Sequence, residues 1–316
     1  MEIPIKIRTT WELLKDSFAS FNRNLSYYFL ASILPLLFLY TGTVLWISNT
    51  GDFNILLITA ILFVFIYGLT LLLSFELFWD GKPDLGELVR YLFRNSIRFF
   101  LTMCLYGLGI IILPILFILL IWKTFQFLFS TKKTGFLPAL ILFVSVIFLA
   151  PILLMTVPAF AGIGISLFFL VIFSTIFVLA TPFIMIFLTP AISLLERGGL
   201  LSSFVRSTSM TWGFYLHILP YVLLKMTTNF LVILTGVMIA SLLQNTFGLN
   251  QEFFPVFITG ILYTITIPYF IHLRTFYFTD IVLKKEGYDS LLNIRYQQKL
   301  FLKGYQKEKA DYYFSS

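Results

Sequence analysis

Seven long apolar segments follow one another along this chain, and this repetition constrains the fold more than any other feature. The segments cover about 28–47, 54–79, 99–122, 136–157, 159–195, 213–242 and 254–278. A helix needs roughly 20 apolar residues to cross a bilayer, and most of these segments reach that length. Backbone groups in lipid must be satisfied within the segment, so we predict an all-α, polytopic integral membrane protein.

The composition supports a membrane class and argues against nucleic-acid binding. Hydrophobic residues make up 59% of the chain and charged residues 12%, whereas soluble proteins carry about 25% charged residues. The net charge of +7 is concentrated in a few loops and the tail. Such clusters are typical of segments beside anionic lipid. The expected partners are therefore anionic headgroups of the bilayer and a membrane or cytoplasmic protein, but no nucleic acid.

A basic amphipathic stretch leads three times into an apolar segment through an aromatic–aromatic–leucine entry. The entries begin at Tyr28, Phe99 and Phe214. We predict three repeats of an interfacial helix plus a membrane hairpin, at about 9–79, 83–195 and 199–282. These repeats form a membrane domain over 1–283, and a basic tail follows at 284–316. The spacing of Thr9 and Glu12 predicts a capping box at the start of the first interfacial helix.

The distribution of Lys and Arg predicts the orientation. The N-terminal segment, residues 82–98, residues 197–206 and the tail are basic, whereas the loops at 48–53 and 243–253 contain neither residue. The positive-inside rule then places both termini in the cytoplasm of a multi-pass protein in the cell (cytoplasmic or inner) membrane. The N-terminus lacks a cleavage pattern, so the first span is expected to serve as an uncleaved signal.

This orientation requires an even number of crossings, although there are seven apolar segments. We predict about six transmembrane helices, with 136–157 only partly inserted; seven crossings remain the alternative. Basic residues recur at steps of four in two places, which predicts a lipid-headgroup stripe on surface helices. The candidate residues of this stripe are Arg90, Arg94, Arg98, Arg295, Lys299, Lys303 and Lys307.

Polar residues within the apolar segments form a candidate intramembrane site. Lys225 and Asn229 lie about a dozen residues into one segment, and Glu76 lies near the end of another. A charge within a span is by default a hypothesis of function, and snorkelling of Lys225 to the headgroups is the alternative. A structural ion pair of Glu76 with Arg94, Arg98 or Lys225 is also open.

Other polar residues favour structural roles. Gly198-Gly199 separates Glu196 from Arg206, which predicts a folded-back ion pair at the elbow between a span and an interfacial helix. Gly236 and Ala240 have the small-residue spacing that allows close helix packing. The two histidines, His217 and His272, are expected to pack or form hydrogen bonds. We predict no metal and no cofactor.

The stretch around residues 189–215 resembles the membrane domain found beside some glycerophosphoryl diester phosphodiesterases and also as stand-alone membrane proteins. The matching positions are Pro190, Glu196, Gly199, Arg206, Ser207 and Gly213, with further likeness at 274–277 and 285–289. The resemblance implies a membrane location and a helical architecture. The family's phosphodiesterase activity belongs to a separate soluble barrel that uses histidines and carboxylates. That barrel is not expected in these 316 residues, so the enzyme name does not transfer.

The sequence therefore favours a non-enzymatic membrane anchor, scaffold or accessory module for a partner at the cytoplasmic face. The alternative is a transporter or lipid-handling protein that uses the polar site around Lys225. An enzyme is not predicted, because the chain shows no phosphate-binding loop and no catalytic constellation.

Overall fold

The computed structural model describes residues 8–50, 54–79, 83–129, 180–247 and 254–303, and these are helical without any strand. A π-helical turn, Phe29–Ile33, links the second and third helices. The helices are α1 (Thr10–Arg23), α2 (Leu25–Tyr28), α3 (Leu34–Thr50), α4 (Ile55–Phe78), α5 (Leu85–Phe129), α6 (Thr189–Leu195), α7 (Leu200–Thr211), α8 (Tyr215–Phe247), α9 (Phe254–Glu286) and α10 (Tyr288–Lys303).

The all-α class is confirmed, but the predicted count of six spans is not supported. Four helices in the described ranges are long and apolar enough to cross a membrane. They cover Leu25–Ile47, Ile55–Phe78, Tyr215–Leu243 and Pro255–Glu286. The segment 136–157, for which we predicted partial insertion, lies outside the described residues.

The chain divides into two compact units. The first contains Met1–Leu105 and Phe187–Ser316, and the second contains Tyr106–Ile186. Within the second unit, the described residues are 106–129 and 180–186, which are mostly helical. The first unit contains the amphipathic helices and all the polar clusters considered as sites.

The first interfacial helix, α1, begins as predicted. Thr9 accepts a hydrogen bond from the backbone of Glu12, whose side chain accepts one from the Thr9 backbone, so both halves of the capping box are present. Leu13 and Phe21 are buried, while Trp11 is 76% exposed. The helix thus packs one face on the protein and presents aromatic surface on the other.

The second interfacial helix is not separate from the segment that follows it. We expected a helix ending near 98 and a span starting at 99, but α5 runs without interruption from Leu85 to Phe129. Between Gly86 and Gly107 the sequence contains neither glycine nor proline that would break it. In the third repeat, by contrast, Gly213 at φ +88° separates α7 from α8.

Helix α9 lies at the centre of the first unit and contacts α1, α3, α4, α8 and α10. It packs closely on α8, as the small residues predicted: a Cβ on Gly236 would lie only 2.9 Å from the Cα of Thr259. From Phe270 to Val282 every residue of α9 is buried, including polar ones. The C-terminal part of α9 is therefore the buried segment against which neighbouring helices pack.

Candidate functional site

A buried carboxylate, Asp280, lies near the end of α9 and gathers three donors. It accepts the backbone N–H of Arg8 at 3.1 Å, Nε2 of His217 at 2.9 Å and Nζ of Lys284 at 2.7 Å. Its side chain is 0% exposed, whereas those of His217 and Lys284 are 12% and 17% exposed. A buried carboxylate is costly unless it is paired and hydrogen-bonded, and these donors satisfy that requirement.

The same network ties the start of α1 to the start of α8. Nδ1 of His217 lies 2.8 Å from the hydroxyl of Thr10, and Nζ of Lys284 donates to the backbone carbonyl of Arg8 at 2.8 Å. Asp280 and Lys284 are four residues apart on one face of α9. The group Arg8, Thr10, His217, Asp280 and Lys284 is called the Asp280 network below.

The order hydroxyl, imidazole, carboxylate in this network is also that of nucleophilic triads. In a triad, the carboxylate stabilises an imidazolium that forms during the reaction. Here the ammonium of Lys284 already lies on the same oxygen of Asp280 and 3.2 Å from Nε2 of His217. The carboxylate is therefore already paired with Lys284, and the geometry favours a structural link.

The side chain of Arg8 enters the protein beside this network. It is 1% exposed, and its Nε donates to Asp16 at 2.8 Å. Its guanidinium carbon lies 5.7 Å from the ring centre of Phe78 and 5.9 Å from that of Phe276. Cation–π contacts of this kind are worth more when the cation is desolvated. Arg8, two residues before α1, is thereby packed against α4 and α9.

A second cluster occupies the elbow between α6 and α7. The guanidinium of Arg206 donates to both oxygens of Glu196, with a distance of 3.0 Å from Nη2 to Oε1, and also to Glu286 at 2.9 Å. Burial raises the pKa of Glu196, although its bonds to Arg206 oppose the shift. Those same bonds raise the pKa of Arg206. Glu196 and Arg206 thus form the ion pair that the elbow suggested, and Glu286 links it to the end of α9.

The elbow is also tied to α5. Arg197 adopts φ +55°, an uncommon conformation for a residue other than glycine. Its carbonyl accepts from Arg98 at 2.9 Å, and the hydroxyl of Tyr91 donates to the carbonyl of Leu194 at 2.9 Å. Burial raises the pKa of Tyr91 to about 12, and burial beside Arg197 lowers the pKa of Arg98. Arg98 is therefore bound to the elbow and half-buried, whereas the side chains of Arg90 and Arg94 are exposed.

The elbow predicts an order of mutational effects. Arg206→Gln leaves Glu196, 11% exposed, without its cation, so we expect a loss of about 1–2 kcal/mol in the free energy of unfolding. This lies below the buried-pair range because Arg206 itself is 39% exposed and partly screened. Glu286→Gln should cost less, since the Glu196–Arg206 pair remains. Equilibrium unfolding in mixed micelles measures both, and a reversed order would contradict the arrangement.

The remaining candidates of the lipid-headgroup stripe and of the intramembrane polar site do not belong to the Asp280 network or to the elbow. The guanidinium of Arg295 lies 4.5 Å from the ring centre of Trp79 and close enough to Glu76 to interact with its charge. Arg295 was not among the partners considered for Glu76. Burial lowers the pKa of Arg295, which fits a side chain packed on protein. The side chains of Lys299 and Lys303, and all of Lys307, lie outside the described part of the chain.

Lys225 and Asn229 lie one turn apart on α8, where Lys225 is half-buried. The hydroxyl of Tyr263 on α9 donates to the backbone carbonyl of Asn229 at 3.4 Å. The charged neighbour of Lys225 is Arg274 of α9, which is 4% exposed and donates to the hydroxyl of Tyr67. The structure thus puts a second cation near Lys225, while Glu76 interacts with Arg295.

His272 belongs to a separate buried group. Its Nδ1 lies 2.6 Å from the hydroxyl of Tyr28, which also lies 3.1 Å from the hydroxyl of Ser74. The group joins the π-helical turn region, α4 and α9. Within the described ranges, no group of three or more metal-ligating side chains could hold a metal ion.

Two functional candidates were missed from the sequence: Asp280 and Arg274. Both are charged residues inside an apolar run, which is the same signal that singled out Lys225. The four-residue spacing of Asp280 and Lys284 was a second signal. The remaining members of the network come from distant parts of the chain and share no local pattern.

The chain matches no family model, no curated protein and no solved structure. The resemblance to the phosphodiesterase-associated membrane domain therefore stays a prediction from its motifs. The fold and the polar clusters define the class: an all-helical protein with helices long and apolar enough to span a membrane, and with amphipathic helices fixed at the end of α9.

Proposed function

We propose that the protein is a non-enzymatic membrane anchor or scaffold whose amphipathic helices form a rigid platform for a partner at the cytoplasmic face. The platform consists of α1, α7, α10 and the first turns of α5. The observation that carries the proposal is the attachment of α1 and α7 to the end of α9 through polar contacts, with the start of α5 bound to the elbow that precedes α7. A scaffold that presents a surface to a partner needs that surface to be fixed in advance, because ordering flexible helices during binding would cost affinity.

The attachments come from several helices. The Asp280 network holds the start of α1, and Glu286 of α9 holds Arg206 of α7. Lys285 of α9 also donates to the backbone carbonyl of Ser209 in α7. Helix α10 follows α9 after Gly287 at φ +88° and places Arg295 on Trp79. The polar contacts of α1 and α7 thus meet at residues 280–286 of α9.

The outer faces of the platform suit a membrane surface. Large apolar side chains on α1 and α7 are exposed, among them Trp11, Phe18, Leu201 and Val205. Lys15 of α1 is exposed as well. Apolar and cationic side chains on one helix surface are typical of helices that lie in an anionic interface. With the short-loop Lys/Arg bias, this supports an orientation with the platform on the cytoplasmic side.

Site-specific photo-crosslinking in native membranes tests the scaffold. A photoreactive residue at Asn293 or Gln297 of α10, two polar residues that are exposed on the platform, should capture the same protein. The matched control positions are Phe38 and Leu242, which are 68% and 64% exposed on membrane-spanning helices and should yield lipid adducts. Lipid adducts alone at the platform positions, with the residue incorporated, would overturn the proposal.

A transporter or lipid-handling protein is the second candidate, and the proximity of Lys225 and Arg274 favours it. Two cations inside spanning helices are costly, and an anionic substrate between them would relieve their repulsion. Lys225→Met should then abolish the cellular phenotype of the intact protein. An unchanged phenotype, together with loss on neutralising Arg90 and Arg94, would exclude the transport function.

A further inference from the structure

One face of α5 changes from cationic to apolar along its length. Arg90, Arg94, Ile97 and Leu101 recur at steps of four, three and four residues, so they lie on the same face of the helix. All four are exposed, Ile97 by 78%. At a rise of 1.5 Å per residue, this face extends for about 16 Å along the axis. Only the unbroken course of α5 keeps the arginines in line with the apolar residues.

The apolar end of this face borders a groove between α4 and α5. The helices approach closely at Gly68, where an added Cβ would lie 2.7 Å from Leu92 and 2.8 Å from Phe99. Beside this contact is a groove of about 260 Å³ with an almost wholly apolar lining, to which Phe65 and Ile97 contribute. Its volume is below the roughly 300–1,000 Å³ of sites that enclose a whole small molecule, and it suits part of one chain.

From these two features we infer that the surface of α4 and α5 binds one anionic glycerophospholipid of the bilayer. The phosphate lies at Arg90 and Arg94, and one acyl chain lies in the groove beside Ile97. The guanidinium group is suited to phosphate because it presents several donors in a fixed plane. The change from cationic to apolar along α5 matches the order of headgroup and chain in such a lipid.

This site goes beyond the scaffold function and does not depend on a protein partner. It takes Arg90 and Arg94 from the predicted headgroup stripe as the phosphate ligands, because both are exposed on the face of α5 that leads to Ile97. A diffuse basic surface would attract any anionic lipid through its charge. A site with a chain groove also requires the lipid to carry its chains.

Native mass spectrometry of the full chain in detergent, titrated with phosphatidylglycerol, tests the inference. The double variant Arg90→Gln/Arg94→Gln should bind phosphatidylglycerol about 25-fold more weakly, at about fivefold for each arginine. Ile97→Trp, which keeps both arginines and fills the groove, should also weaken binding. The control Lys15→Gln/Arg23→Gln removes two exposed cations of α1, outside the site, and should weaken binding by clearly less than the double variant of α5.

Several results would overturn the site. Equal loss in the α1 control would show diffuse electrostatic attraction, and equal affinity for phosphatidylcholine would show no preference for an anionic lipid. Binding of soluble glycerol 3-phosphate as tightly as the lipid would remove the role of the groove, as would no effect of Ile97→Trp. A photoreactive residue at Ile97 that captures a protein would assign the groove to a partner. Crosslinking at Asn293 and Gln297 of α10 tests the scaffold separately.

Discussion

Replacing Asp280 with asparagine is expected to lower the free energy of unfolding by about 3 kcal/mol, the low end of the range for breaking a buried ion pair. The amide has the shape of the carboxylate but no charge, so Lys284, 17% exposed, keeps its desolvation cost and loses its counter-ion. The amide also accepts fewer hydrogen bonds than the three donors around Asp280 require. Equilibrium unfolding in mixed micelles measures the loss.

A matched control and a double-mutant cycle separate this effect from general destabilisation. Asp289→Asn changes an exposed carboxylate in the first turn of α10 and should cost about 0.5 kcal/mol or less. Lys284→Met alone should also destabilise, because it leaves the Asp280 carboxylate buried with one cationic partner fewer. In combination with Asp280→Asn, it should show a coupling of about 1–3 kcal/mol. Additive effects would mean that the two charges do not support each other.

Gly260→Ala is expected to lower the free energy of unfolding by about 1–3 kcal/mol through overpacking. A Cβ at this position of α9 would overlap Cζ of Tyr40 on α3. The ring must move, and the hydrogen bond from its hydroxyl to the carbonyl of Val256 is lost. Alanine's better helix propensity returns up to about 1 kcal/mol, and because the overlap with the Tyr40 ring is severe, we expect an overpacking cost above that and a net loss.

The chain offers a glycine control on the facing helix. A Cβ at Gly42 of α3 would meet nothing within 4 Å, so Gly42→Ala should be neutral or stabilise by up to about 1 kcal/mol. Replacing Tyr40 with alanine in the Gly260→Ala background should recover part of the loss by making room. Unfolding measured in the same micelles compares the variants. A destabilised Gly42→Ala protein, or a neutral Gly260→Ala protein, would contradict the packing of α3 on α9.

Local patterns predicted the parts of the fold that depend on local physics. The capping box at Thr9 and Glu12 needs only four residues, and it is formed. Gly236 and Ala240 predicted a close helix approach because small residues allow close packing whichever helix is the neighbour. Glu196 and Arg206 were close enough in sequence, across a glycine break, for their pairing to be proposed.

Other features depended on which helices meet, and sequence spacing does not encode this. Asp280 is bound by residues near positions 8 and 217, and no pattern of one segment links the three. The charge near Glu76 comes from Arg295, in the predicted tail. The continuity of α5 was visible in the absence of a breaking residue, but the repeat pattern suggested a break at 98.

The polar clusters differ in what their removal should change. The Asp280 network and the elbow are predicted to act on stability and on the placement of the amphipathic helices. Arg90 and Arg94, by contrast, are exposed on the first turns of α5, so we expect their variants to fold and to lose affinity for the anionic lipid. Lys225 is the residue whose replacement separates transport from scaffolding, because it is half-buried and lies near Arg274.

The most direct test of the rigid platform is the distance between α1 and α7 in a bilayer. Spin labels on Lys15→Cys and Ser202→Cys, in a Cys104→Ser background, can be measured by double electron–electron resonance in lipid nanodiscs. The intact network predicts one narrow distance distribution, which Asp280→Asn should broaden. A broad distribution in the protein with Asp280, or a narrow one that Asp280→Asn leaves unchanged, would contradict a platform held together at the end of α9.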